Sequence, residues 1–325
     1  MMWLASSRLV IWCEDAAPSW AMNAIEIRSL TKSYGNRNVV DHVSFNVRSG
    51  TVFGFLGPNG AGKTTTIRML LSLIRPDAGE ISILGLDARK QFASVASRIA
   101  AVVETPTYFP NLSALQTLRT LADYAGISMS REQLLSALDR HGLLFASEQK
   151  VDGFSLGMKQ RLAVVAALIG DPEVVFLDEP TNGLDPEGIS NMRGLIRRLA
   201  DDEGRTVFVT SHLLAEVEHT CDEVLFLNDG RVCVQGTLAE LLTNNKVCVR
   251  GFPIESVYRV VARYFPNRHF RKVDDPPGIE LAIGYDEIPL LVRYLAGENI
   301  DIHEVFVKSR TLEEVFYAVI GTQDI

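Results

Sequence analysis

The sequence is poor in several features that identify common classes of protein. It contains four cysteines in 325 residues, and no two of them form a C-x-x-C pair. This sparse use of cysteine indicates a reducing compartment and offers no metal site. No stretch approaches ~18 consecutive apolar residues, so we do not expect this chain to span a membrane. The cysteines are Cys13, Cys221, Cys233 and Cys248.

Basic residues are also fewer than acidic residues. The chain has 32 Lys and Arg against 40 Asp and Glu, which gives a formal net charge of −8. We therefore expect no nucleic-acid partner, because nucleic acids select basic surfaces. A composition that is 47% hydrophobic is typical of a globular protein with a sizeable core. The length predicts two domains at ~150 residues each.

The first 22 residues lack the pattern of a secretory signal. Their apolar run, residues 9–13, is short, and Glu14 and Asp15 follow it at once. We expect either that Met22 is the natural start or that the preceding residues are a disordered extension.

A phosphate-binding loop is the strongest motif. The segment GPNGAGKTT fits G-x-x-x-x-G-K-T and lies between an apolar run and a helical pattern. Glycines let backbone N–H groups turn inward around an anion, and the helix start adds unpaired N–H groups. We expect Lys63 to reach the β- and γ-phosphates and Thr64 to hold Mg²⁺. The residues predicted to contact phosphate are Gly57, Pro58, Asn59, Gly60, Ala61, Gly62, Lys63, Thr64 and Thr65.

Two carboxylates end an unbroken apolar run at residues 174–177, which is typical of a parallel strand buried on both faces. Ligands bind at the carboxyl ends of such strands, so Asp178 and Glu179 should lie beside the phosphate loop. We expect Asp178 to hold Mg²⁺ and Glu179 to orient the attacking water. His212 follows another apolar strand at the same edge and could bond a γ-phosphate, whereas the other five histidines are interpreted as structural.

The coarse pattern predicts an α/β fold with a P-loop NTPase (RecA-like) core. Alternating strands in residues 23–50 predict an antiparallel β subdomain, and a helical pattern over about 105–170 predicts an inserted helical subdomain, with a capping box at Ser130 to Gln133. The predicted nucleotide-binding domain covers 23–243. Residues 244–325 read βαββαβ, which predicts a small ferredoxin-like domain. An apolar stripe on its last helix indicates either core packing or a partner surface.

Together these motifs resemble an ATP-binding cassette (ABC) ATPase over roughly residues 23–243. Tyr34 matches the aromatic residue that stacks on adenine in that family, although a strand tyrosine without that role is the alternative. The segment FSLGMKQR resembles the signature motif, and GLDP resembles the D-loop. The residues that the resemblance adds to the site are Tyr34, Ser155, Gly157 and Asp185.

The chain departs from the common family pattern in two places. The signature is commonly L-S-G-G-Q, whereas this chain has F-S-L-G-M and retains Ser155 and Gly157. Glu104 stands where the family has the Q-loop glutamine, and it is a further candidate for the metal site. Both changes are similar to ATPases of the bacitracin- and daunorubicin-resistance exporters, which also tend to carry an extra carboxyl-terminal domain.

The resemblance implies the ATPase subunit of an ABC-2-type exporter, using ATP and Mg²⁺ and lying at the cytoplasmic face of the membrane. Two subunits, identical or different, would enclose two ATP molecules, with Ser155 and Gly157 contributed across the dimer. A separate permease is expected to dock near residues 104–121. The alternatives are a non-transport ABC ATPase and a small-molecule kinase. The role of residues 246–325 stays open between dimer lock, regulator and stability cap.

Overall fold

The computed structural model describes residues 23–103, 109–243, 246–274, 276–308 and 310–320. The predicted extension, residues 1–22, lies outside them. Contacts divide the chain between Gln235 and Gly236 into two compact units, whereas the sequence interpretation set the boundary after residue 243. The division falls earlier because helix α8 (Leu238–Leu242) contacts α11 (Leu312–Ile320) within the second unit.

The central sheet of the first unit has six strands in the order β10-β9-β3-β8-β7-β6. Strand β3 pairs in parallel with both β8 and β9, and β7 pairs in parallel with β6 and β8. The carboxyl ends of these five strands therefore meet at one edge. The six strands of the central sheet are β3 (Val52–Leu56), β6 (Ile99–Val102), β7 (Val174–Asp178), β8 (Thr206–Ser211), β9 (Glu223–Asn228) and β10 (Arg231–Thr237).

A second, antiparallel sheet packs on the central one. Its strands, in the order β2-β1-β4-β5, are β1 (Asn23–Tyr34), β2 (Arg37–Arg48), β4 (Ala78–Ile83) and β5 (Leu86–Asp87). Phe45 joins the two sheets, because its ring centre lies 5.7 Å from that of Phe53 and 5.4 Å from that of Phe55. Helix α1 (Lys63–Leu70) contributes Ile67, Met69 and Leu70 to the same buried cluster. The predicted antiparallel β subdomain is confirmed.

Residues 114–167 supply a helical insertion with its own core. Its helices are α3 (Ala114–Tyr124), α4 (Arg131–Arg140) and α5 (Leu156–Ala167). The capping box predicted at Ser130 and Gln133 is present and starts α4. A separate cluster of buried side chains, among them Leu118, Leu138 and Leu162, holds the three helices together. The other helices of the unit are α2 (Phe92–Ala96), α6 (Pro186–Asp201) and α7 (Leu214–Thr220).

The second unit confirms the ferredoxin-like prediction. Its four strands form an antiparallel sheet in the order β12-β13-β11-β14, which is the strand order 4-1-3-2 of a βαββαβ fold read from its other edge. Its elements are β11 (Lys246–Phe252), α9 (Ile254–Tyr264), β12 (Phe270–Asp274), β13 (Pro277–Ala282), α10 (Ile288–Gly297) and β14 (Asp301–Val307), followed by α11. Across the described ranges of both units, no helix combines the length and the apolar character that crossing a membrane requires.

Candidate active site

The phosphate loop connects β3 to α1 and is shaped by glycines that no other residue could replace without strain. Gly57 has a φ of 156°, and a Cβ there would lie 2.2 Å from the carbonyl oxygen of Leu227. Gly62 has a φ of 106°, and its Cβ would lie 2.5 Å from the carbonyl oxygen of Val39. Only glycine fits such conformations at such close approach. The backbone of the loop is therefore held in a curved conformation that leaves its N–H groups available to an anion.

A turn that follows the adjacent strand β9, at the same edge of the sheet, supports this loop. Gly230, between β9 and β10, donates its N–H to the carbonyl oxygen of Ala61 at 3.0 Å. Its own carbonyl accepts from the N–H of Asp41 at 2.8 Å. The φ of Gly230 is 75°, and a Cβ would lie 2.6 Å from the Val39 oxygen. The phosphate loop thus depends on backbone contacts with segments distant in sequence.

Lys63 begins α1 and is 7% exposed. Its ammonium donates to the carbonyl oxygens of Gly57 at 2.6 Å and Pro58 at 3.2 Å. Burial lowers the pKa of Lys63, and the nearby carboxylates of Glu179 and Asp178 oppose that shift. A desolvated ammonium held in this way is suited to bind an anion that enters the loop. 

The two carboxylates follow β7 directly, as expected. Asp178 is the last residue of the strand, and Glu179 has a φ of 50°, a left-handed conformation that is uncommon for a residue with a side chain. Nδ1 of His212 lies 2.7 Å from Oε2 of Glu179. Because an ionised carboxylate only accepts, the imidazole is the donor through Nδ1, which leaves Nε2 for another partner.

A cleft of 350 Å³ brings most of the predicted residues together. It places the phosphate loop, the start of α1, both carboxylates and the histidine around one space. Such a cleft can accept a triphosphate, with cationic and backbone donors on one side and a base on the other. The predicted residues that line it are Pro58, Asn59, Gly60, Gly62, Lys63, Thr64, Thr65, Asp178, Glu179 and His212.

Four other predicted residues lie elsewhere in the same chain. Ser155 and Asp185 begin helices α5 and α6, where their side chains accept from backbone N–H groups at 3.3 Å and 2.9 Å. Gly157 is in the first turn of α5, and Tyr34 ends β1 with 54% of its surface exposed. None of the four lines the cleft. Glu104 lies outside the described residues.

Sequence reasoning missed three residues of the site. Val39 and Asn182 line the cleft, and Thr210 donates a hydrogen bond to the carboxylate of Asp178 and accepts one from the backbone N–H of Glu179. The signal for Thr210 was its place two residues before His212, where the alternation of a strand puts both side chains on the same face. No local pattern singles out Val39, because its role depends on how two sheets meet.

The residues in the cleft suit Mg²⁺, which takes few protein ligands, better than they suit a metal ion whose ligands all come from the protein. The described residues contain no group of three or more His, Cys, Asp or Glu side chains placed to hold a metal ion. Mg²⁺ commonly takes only one or two protein ligands and completes its shell with water and phosphate oxygens. Asp178 uses Oδ1 to accept from Thr210 and has no hydrogen-bond partner for Oδ2 among the described residues. Thr64, exposed in the first turn of α1, adds a hydroxyl oxygen.

The fold and the site together define a nucleotide-hydrolysing P-loop protein of the α/β class. The family model for the ABC transporter matches residues 40–182. The chain is 37% identical over 300 residues to the bacitracin transport ATP-binding protein BcrA of Bacillus licheniformis, covering 91% of this chain and 97% of that protein. It is 35% identical over 298 residues to the uncharacterized ABC transporter ATP-binding protein YhcH of Bacillus subtilis, covering 91% and 96%.

Solved structures give the same result. A structure described as the ATP binding subunit of an ABC transporter aligns with a TM-score of 0.60 and 31% identity, covering 67% of this chain and 91% of that chain. A dimeric ATP-binding cassette in a post-hydrolysis state, bound to ADP and Pi, aligns with a TM-score of 0.59 and 25% identity, covering 66% and 98%. The chain belongs to the ABC transporter family, as an ATP-binding and ATP-hydrolysing subunit. The predicted family and enzyme class are confirmed.

Proposed function

We propose that this subunit powers export of a drug, peptide, lipid or other small molecule through a separate ABC-2-type permease, from the cytoplasmic face of the membrane. The observation that carries the proposal is the cleft in which Lys63, Asp178, Glu179 and His212 surround one space. The export direction rests on similarity to a Nod factor export ATP-binding protein of Burkholderia orbicola, 37% identical over 226 residues.

Each residue in the cleft has a distinct role in hydrolysis. Lys63 binds the β- and γ-phosphates through its buried ammonium. Glu179 accepts a proton from the water whose oxygen attacks the γ-phosphorus, while the bond to the β–γ bridging oxygen breaks. His212 orients Glu179 through the 2.7 Å hydrogen bond and presents Nε2 to the γ-phosphate. Asp178 and Thr64 would hold Mg²⁺, and a metal ion held there would supply positive charge beside the phosphate oxygens.

We further propose that the site is completed by a second subunit. Ser155 and Gly157 lie at the start of α5 and line no part of the cleft in their own chain. Their first-turn N–H groups and hydroxyl would meet the γ-phosphate bound by the opposite subunit, with Asp185 beside the interface. Closure of such a dimer depends on contacts that exist only with ATP present, so hydrolysis loosens it.

An apolar groove whose lining includes Val103, the residue before the predicted docking segment 104–121, supports a permease partner. The groove lies between the end of α1, α2 and the edge strand β6, with a volume of 360 Å³. Leu73 and Phe92 are 65% and 51% exposed there. Exposed side chains of this size commonly mark a surface that another protein covers.

Mixing two inactive variants tests the shared site. Lys63→Ala damages the phosphate loop of one subunit, and Ser155→Ala damages the surface that it offers to its partner. A dimer of one of each retains one intact site, formed by the loop of the Ser155→Ala subunit and the serine of the Lys63→Ala subunit. ATPase activity should therefore return on mixing. In a separate experiment, co-purification with the membrane protein that is encoded next to this subunit should identify the permease. A mixture as inactive as its components would contradict the shared site.

A further inference from the structure

Thr210 lies near the carboxyl end of β8, at the edge of the central sheet where the predicted catalytic residues meet. In the parallel register of β7 and β8, Thr210 is the partner of Asp178. Its side chain is fully buried, with an exposure of 0%. It lies two residues before His212, and both hydrogen bonds of its buried hydroxyl join it to residues at the end of β7.

That hydroxyl makes two hydrogen bonds of fixed direction. The backbone N–H of Glu179 lies 3.0 Å from Oγ1, and since an N–H can only donate, Oγ1 accepts there. Oδ1 of Asp178 lies 2.5 Å from the same oxygen. The single proton of the hydroxyl is then directed to the carboxylate, which is an acceptor. One atom thus links the backbone of Glu179 to the side chain of Asp178.

The two bonds constrain different properties of the site. Glu179 has the left-handed φ of 50°, a conformation that persists in a residue with a side chain only where neighbours enforce it. The bond to its N–H fixes the point at which the chain leaves β7, and so the direction of the Glu179 side chain. The bond to Oδ1 fixes the Asp178 carboxylate and leaves Oδ2 for a metal.

We propose that Thr210 is a positioning residue that sets the carboxylates of Asp178 and Glu179 together, and so couples metal binding to activation of the attacking water. This inference rests on the roles proposed above for those two residues. Thr210 itself is buried and does not line the cleft.

The test removes the hydroxyl in two ways. Thr210→Val keeps the shape of the side chain and deletes the oxygen. Thr210→Ala and Thr210→Ser both delete the methyl group and differ only in the hydroxyl. A comparison of these two variants therefore measures the effect of the oxygen even if the valine variant folds poorly. Thr206→Val is the matched control, because Thr206 is 2% exposed on the same strand and its hydroxyl accepts from the N–H of Gly50 at 3.0 Å, at the opposite end.

Four quantities are measured on the intact chain: kcat and KM for ATP, the affinity for Mn²⁺ with a non-hydrolysable ATP analogue by electron paramagnetic resonance, and Tm. Thr210→Val and Thr210→Ala should lower kcat by about tenfold to a hundredfold, as expected for a lost hydrogen bond to a charged group. They should also weaken Mn²⁺ binding several-fold and change KM little. Thr210→Ser should stay within about threefold of the parent, since it keeps the oxygen.

The control separates positioning from stability. Thr206→Val should lower Tm as much as Thr210→Val and leave kcat and Mn²⁺ affinity unchanged. Equal kcat and Mn²⁺ affinity in Thr206→Val and Thr210→Val would overturn the inference. Glu179→Gln is measured in parallel. If it loses hydrolysis while Thr210→Val does not, only the role of Thr210 fails; if it hydrolyses ATP at the parent rate, the proposed base is wrong and the coupling falls with it.

Discussion

Glu280 in the second unit is the group whose contribution to stability the structure specifies most fully. It lies on β13, is 3% exposed, and accepts hydrogen bonds from Nε of Arg271 at 2.7 Å and from Nζ of Lys308 at 2.8 Å. The bond from Arg271, with help from Lys308, outweighs burial and lowers the pKa of Glu280 from 4.5 to about 2. We therefore predict that Glu280→Gln destabilises this unit in a strongly pH-dependent way.

The magnitude follows from linkage. A pKa that is lower in the folded chain adds stability that is fully present above the unfolded value of 4.5 and is lost as the pH falls toward 2. At about 1.36 kcal/mol per pKa unit this is about 3 kcal/mol. Screening at the exposed partners, Arg271 and Lys308, reduces it to about 2–3 kcal/mol. The difference between parent and variant should shrink to about 0.5 kcal/mol by pH 2, because Glu280 is then about half protonated in the folded chain and almost fully protonated in the unfolded chain.

Urea unfolding followed by near-ultraviolet circular dichroism of tyrosine provides the assay. The unit contains five of the eight tyrosines of the chain and none of its three tryptophans. Glu255→Gln is the control, because Glu255 forms an exposed pair with Lys272 and should matter by less than about 0.5 kcal/mol at every pH. A difference for Glu280→Gln that stays constant from pH 7 to pH 2 would refute the reasoning. The tyrosines that report on the unit are Tyr258, Tyr264, Tyr285, Tyr294 and Tyr317.

Three further predictions concern the cleft. Glu179→Gln should bind ATP and accumulate as an ATP-bound dimer, with kcat reduced at least about a hundredfold; size-exclusion chromatography and an ATPase assay check this, and normal turnover would exclude Glu179 as the base. Lys63→Ala should lose most nucleotide binding, measured with a fluorescent ATP analogue. Gly57→Ala should abolish nucleotide binding, because the added Cβ would lie 2.2 Å from the carbonyl oxygen of Leu227. Gly60→Ala should lower the free energy of nucleotide binding by only about 1 kcal/mol through backbone strain, because its Cβ would have no atom within 4 Å. Equal loss of nucleotide binding in both glycine variants would show that the contact with the Leu227 oxygen does not explain the effect of Gly57→Ala.

Much of this site could be predicted because its chemistry is encoded in short segments. The glycines, Lys63 and Thr64 lie within nine consecutive residues, and each carboxylate or histidine directly follows an apolar strand. Strand ends at one edge of a parallel sheet must converge, so the order of motifs was enough to bring them together. The capping box at Ser130 is local in the same sense, since both of its bonds span three residues.

The parts that sequence did not predict depend on contacts between distant segments. An apolar run shows that β3 is buried, but not that β8 and β9 flank it. The hydrogen bonds of Thr210 and the approach of Leu227 to Gly57 follow from that strand order. The division after Gln235 depends on the contact between α8 and α11, which joins residues far apart in the chain, whereas the sequence interpretation placed the boundary after residue 243. 

The support of the phosphate loop by the turn at Gly230 has a consequence for how variants of this protein should be interpreted. A side chain at this position would meet the Val39 carbonyl and disturb the bond to Ala61, although Gly230 does not line the cleft. A genetic screen for lost ATP binding should therefore return substitutions near residue 230 alongside those in residues 57–65. Such variants would keep every nucleotide-contacting side chain, and second-site suppressors should lie in the Val39 to Asp41 segment and not in the loop itself.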